Sequence, residues 1–167
     1  MDLFIIRHAE AEDTSPDHDD ARRALTPKGR ATFAGEVRGL ERLGVELDRI
    51  YHSPLLRAVE TADLLAPLLD RDGGESRVTD ELARAPRNEF LREIEGERVA
   101  LVGHEPHVSD LVALLVLGWR VFEPLANNGL IDFKKGAVAH LTGEPRAGEM
   151  TLAAFWPPKT LRRIGKK

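Results

Sequence analysis

Two arginines and two histidines stand just behind short apolar runs, and those residue types can move a phosphoryl group. Arg7-His8 follows Leu3-Phe4-Ile5-Ile6, Arg57 lies in Ser53-Pro54-Leu55-Leu56-Arg57-Ala58 behind Ile50-Tyr51, and His104 stands in Val102-Gly103-His104-Glu105-Pro106 at the end of a third run. A guanidinium grips phosphate oxygens with two parallel N–H groups, and a neutral imidazole is a good nucleophile toward phosphorus. His8 is the candidate nucleophile: a ring nitrogen would take the phosphoryl group and later lose it to water, replacing one difficult displacement with two easier ones. Arg7 and Arg57, as neighbouring cations, are expected to lower the His8 pKa and keep the ring neutral. With His104 as a further donor, they would stabilise charge on the equatorial oxygens with no metal and no other cofactor. Each piece alone has a plainer reading. Arg57 could pair with Glu60 or Glu41 on a solvated helix face, and His104 could cap or pack. Their shared position behind three runs points to one site.

The elements that must position them can be read from the hydrophobic pattern. Short β-favouring runs at Leu3 to Ile6, Ile50 to Tyr51, Val78 and Val99 to Val102 alternate with helix-period segments, so the fold is expected to be α/β, with a mostly parallel sheet covered by helices. Thr26-Pro27 starts a first helix, with Phe33, Val37 and Leu40 on one face and a stop at Gly44. Ser53-Pro54 gives the same start signal for a second, whose stripe Leu55, Val59, Ala62, Leu65 and Leu69 runs to the Asp72-Gly73-Gly74 turn. Asn88 to Glu95 and Pro106 to Leu117 are two further helices, and 137–141 with 151–156 forms a terminal hairpin on one sheet edge. In such a sheet, ligands bind beyond the carboxyl ends of the strands, where all four candidate residues emerge.

With 167 residues, one domain over 1–158 is expected, followed by a loose basic tail over 159–167. A formal charge of −4 argues against a general nucleic-acid binder, and the absence of cysteine excludes disulfides and thiolate catalysis. No apolar run approaches the ~20 residues of a membrane span, so neither a membrane partner nor a signal peptide is expected, and the reading is a cytoplasmic protein.

The motifs together resemble the histidine phosphatase superfamily with the phosphoglycerate-mutase-like fold, in particular its SixA-type phosphohistidine phosphatases. The likeness is carried by Phe4-Ile5-Ile6-Arg7-His8-Ala9-Glu10, Arg23-Ala24-Leu25-Thr26-Pro27-Lys28-Gly29, Ser53 through Ala62, and Val102 through Pro106. It implies a three-layer α/β sandwich, with His8 as the phosphorylated nucleophile and Arg7, Arg57 and His104 as the phosphate pocket. It also implies that Arg23 is an accessory phosphate or substrate contact, and that the substrate is a phosphohistidine protein in signal transduction. The superfamily's usual proton donor is a carboxylate after the third strand; the best-placed residue is Glu81, which reads equally as a surface charge. Ala9 departs from the glycine common after the catalytic histidine, and the chain has no room for the inserted lid of larger members. An open mouth favours a phosphorylated protein over an enclosed sugar phosphate. Three other readings stay open: a phosphatase for small phosphomonoesters, a metal hydrolase suggested by His104-x-x-His107, and a non-catalytic phosphate-binding module.

Overall fold

The computed structural model describes residues 1–70, 72–118 and 131–166. Six strands, β1 (Asp2–Arg7), β2 (Arg49–His52), β3 (Glu75–Val78), β4 (Arg98–Gly103), β5 (Val138–Gly143) and β6 (Met150–Trp156), form one sheet in the order β3-β2-β4-β1-β5-β6. β3, β2, β4 and β1 pair in parallel, whereas β5 and β6 add antiparallel at the other side of β1, as the hairpin expected from the sequence. The helices are α1 (Pro27–Arg42), α2 (Leu56–Leu64), α3 (Asn88–Glu93), α4 (His107–Leu117) and α5 (Pro158–Ile164).

A strand buried on both faces needs apolar side chains at consecutive positions, and β1 supplies them. Leu3 and Ile5 enter one core with Leu101, Phe90 and Leu111, while Phe4 and Ile6 enter the other with Phe33, Val37 and Ala62. The first core lies under α3 and α4 and the second under α1, α2 and α5, giving a three-layer α/β architecture. No helix among the described residues is long and apolar enough to cross a membrane.

Two expectations change. The second helix starts at Leu56, because Leu55 is extended and its N–H goes to Ser53 Oγ at 3.2 Å, so the Ser53-Pro54 signal builds a turn ahead of the helix. Its stripe also breaks: α2 ends at Leu64 and a 3-10 turn, Ala66–Leu68, comes next, because Pro67 has no N–H to continue an α-helix. The expected loose tail is instead α5, started by Pro157-Pro158 and packed on α1 through the fully buried Leu161; Lys167 lies outside the described residues. Counting basic residues concealed this, since the buried Pro158 and Leu161 are what dock the helix.

Gly39 makes that docking possible. A Cβ there would stand 2.3 Å from the Leu161 carbonyl oxygen, so only glycine lets the two backbones approach. Gly39→Ala is therefore expected to destabilise the fold by about 1–3 kcal/mol, the usual cost of overpacking, despite alanine's better helix propensity. Urea denaturation checks this, and a gain in stability would show that α5 does not bear on Gly39.

Candidate active site

All four core candidates emerge at the carboxyl ends of neighbouring parallel strands. Arg7 is the last residue of β1 and sits opposite Gly103 of β4; His8 and His104 come next on each chain. The His8 N–H donates to the Gly103 carbonyl at 3.0 Å, and the two imidazole centroids lie 5.0 Å apart. Arg57 arrives from the second position of α2, after the turn at the end of β2. The strand ends thus gather residues separated by nearly 100 positions, as expected for this class of sheet.

The tautomer of His8 can be derived. Its Nδ1 lies 2.7 Å from the Ala9 carbonyl oxygen, which can only accept, so Nδ1 carries the proton and Nε2 keeps its lone pair. Burial, and then the nearby His104, Arg57 and Arg7, push the His8 pKa down to about 3 against the pull of that carbonyl. The expected direction holds, but desolvation is the larger cause, and the two arginines reinforce it. Nε2 therefore keeps an unprotonated lone pair at neutral pH. Ala9 is itself fixed, its N–H donating to Thr61 Oγ1 at 3.1 Å, while that hydroxyl donates to the Arg57 carbonyl at 2.6 Å.

His104 is also neutral, burial and Arg57 holding its pKa at about 4. Its Nε2 stands 2.8 Å from Ser53 Oγ, which already accepts the Leu55 N–H and is free to donate to the ring. In that tautomer the proton is on Nδ1, which is buried without a protein partner. Both arginines show the same division. Arg7 donates through NH1 to the Phe133 carbonyl at 2.7 Å, and Arg57 donates through NH1 to the Asp20 carbonyl at 2.8 Å and through NH2 to Asp20 Oδ2 at 3.0 Å. Their Nε atoms are buried and unpartnered. A buried donor left unmade costs about 1–3 kcal/mol, and an anion bound among these three would relieve that cost; Arg49 Nε and His107 Nδ1 are also buried without a partner.

Arg23 is joined to this group at one remove: its Nε donates to Asp20 Oδ1 at 2.7 Å, so a single carboxylate bridges Arg23 and Arg57. Glu81 is not brought in. Arg87 holds it in a two-pronged ion pair and Arg84 stands nearby, and the Arg87 hydrogen bond keeps its carboxyl below the usual range, so it has no proton to give near pH 7. Glu81 lines a small separate cavity with His107, whereas Glu105, half-buried and raised by desolvation, faces the charge of Arg7 and accepts from Ser109 Oγ at 2.6 Å. Among the described residues no group of three or more histidines and carboxylates is arranged to hold a metal. Asp20 and Thr61 have no role expected from the sequence, and Ser53 only that of a helix start. Thr61 had a signal, standing four residues after Arg57 on the same helix face. Asp20 had none, since it meets Arg57 across 37 positions.

Comparison with known proteins agrees with this geometry. The histidine phosphatase superfamily (branch 1) matches over residues 3–83. The chain is 31% identical over 155 residues to an uncharacterized protein of Picosynechococcus, an alignment covering 86% of this chain and 93% of that one. It is 40% identical over 85 residues to the mitochondrial serine/threonine-protein phosphatase PGAM5 of Mus musculus, covering 49% of this chain but only 27% of PGAM5. Among solved structures it resembles the protein histidine phosphatase SixA complexed with tungstate, with a TM-score of 0.76, 25% identity, and 96% and 99% of the two chains covered.

Proposed function

The chain belongs to the histidine phosphatase superfamily (branch 1) as a SixA-like hydrolase, and from this we propose that it dephosphorylates phosphohistidine on a protein through a covalent intermediate on His8. The observation that carries the reading is the trio of unpartnered buried donors, Arg7 Nε, Arg57 Nε and His104 Nδ1, beside an imidazole whose Nε2 lone pair is free. The similar SixA structure is complexed with tungstate, a tetrahedral oxyanion of phosphate's shape.

In the first step, His8 Nε2 attacks phosphorus, an Nε2–P bond forms and the bond to the leaving group breaks. The ring then carries positive charge, which the Ala9 carbonyl at Nδ1 stabilises. In the second step, water attacks phosphorus, the Nε2–P bond breaks and its electron pair returns to His8. The water gives one proton to the medium, and inorganic phosphate leaves. The guanidiniums and His104 hold the equatorial oxygens through both steps.

The leaving group favours phosphohistidine. Expelling an alkoxide needs a proton donor, whereas a phosphoimidazole protonated on its other nitrogen leaves as neutral imidazole. Glu81 is bound up with Arg87 and not free to donate, and a P–N bond needs no donor of that kind. A panel of phosphohistidine protein, phosphoserine peptide, sugar phosphates and nucleotides, assayed with chelator present, tests this. Phosphohistidine protein is expected to give the highest kcat/KM, undiminished by chelator. Preference for a sugar phosphate or nucleotide would overturn the substrate assignment, and loss of all turnover on chelation would overturn the metal-free mechanism.

A further inference from the structure

Beside the phosphate pocket runs a groove of about 620 Å³, within the roughly 300–1,000 Å³ range of ligand-binding clefts. Lys28, Thr32 and Glu36, spaced by four along α1, give one wall, and Lys159 and Arg162 of α5 give the other. Phe155 and Pro157 supply apolar surface. Ala9 and Glu10, the two residues after His8, line the near end of the groove, and Lys135 precedes Gly136, whose N–H donates to the Arg7 carbonyl at 3.0 Å.

Its charges do not balance. Each of its three carboxylates already has a cation: Glu10 pairs with Lys28 at 3.2 Å, Asp132 with Lys134 at 2.9 Å, and the buried Glu36 with Arg162. Lys135 and Lys159 have no carboxylate partner among the described residues, and both are exposed. Two unanswered ammonium groups thus line a groove in a chain whose formal charge is −4.

We propose that this groove receives an acidic stretch of the same polypeptide that carries the phosphoryl group. The inference rests on the reading of the substrate as a phosphorylated protein. A chain that leaves the phosphate pocket past Ala9 and Glu10 enters the groove directly. Its carboxylates would meet Lys135 and Lys159, and its aliphatic stems would lie on Phe155 and Pro157. The contact selects substrates by charge complementarity and adds nothing for a small phosphate ester, which does not reach it.

Two fluorescein-labelled peptides that differ only in having Asp and Glu or Asn and Gln beside the target histidine test the groove by anisotropy at low salt. The acidic peptide is expected to bind roughly 2- to 30-fold more tightly, the sum of two exposed ion pairs, with the advantage shrinking as salt rises. The double charge reversal Lys135→Glu with Lys159→Glu should erase the preference and leave turnover of a small aryl phosphate unchanged. Equal binding of the two peptides, or a preference that survives the reversal, overturns the groove assignment. If the preference behaves as expected but neither peptide is turned over once phosphorylated on histidine, the groove stands and the proposed substrate falls.

Discussion

Replacing His8 with alanine is expected to abolish turnover, by roughly 10⁴-fold or more, while the protein still folds. The loss is large because the unengaged Nε2 lone pair beside the unpartnered donors disappears. The fold survives because the backbone N–H of residue 8 still reaches the Gly103 carbonyl and the flanking β1 residues keep their core positions. The intermediate gives an independent readout. After brief incubation of the wild type with a labelled phosphodonor and rapid quenching, label should sit on His8, vanish in acid, survive in alkali, and be absent from His104. His104→Ala, which slows turnover by removing one oxygen donor, should let the label accumulate. Substantial activity in His8→Ala, or no label at His8 in either protein with turnover confirmed, would show that water attacks phosphorus directly.

Arg57→Lys should behave as a damaging change, lowering kcat/KM roughly 10- to 150-fold, which is one charge-assisted hydrogen bond of about 1.5–3 kcal/mol. The reason is specific to how Arg57 is held. Its two terminal nitrogens are committed to Asp20, so the Nε edge is what remains for phosphate, and lysine has no nitrogen at that position. A lysine that satisfied Asp20 would turn its charge away from His8, and one that served phosphate would leave Asp20 unanswered. Steady-state kinetics on an aryl phosphate measure the effect, and wild-type values would remove Arg57 from the pocket.

The strand ends and the four convergent residues were readable in the sequence because both rest on local signals. An apolar run buried on two faces has to be a central strand, and the residues just after such a run have to emerge at the carboxyl end of the sheet, as Arg7, His8 and His104 do. Side-chain partners were less readable. The partner of Glu81 is Arg87, six residues further on, and that pairing carries no periodic signature. The Asp20 bridge between Arg57 and Arg23 depends on how the loop before α1 folds back over α2. The docking of α5 was hidden for a related reason: one leucine among five basic residues says little until a glycine on another helix is seen to admit it.

The pairing of β1 with β4 has a consequence for how the protein loses its function. These are interior strands, each hydrogen-bonded to neighbours on both sides, and their middle residues are wholly shielded from water. Such strands belong to the part of a protein that opens last, in or near the global unfolding event, whereas edge strands and short terminal helices fray at much lower free energy. The exposed edge strand β3 can therefore come loose while His8 and His104 remain in register across the middle of the sheet. Heat or denaturant would first strip away the periphery, leaving the His8 and His104 strand ends among the last local structure to disassemble.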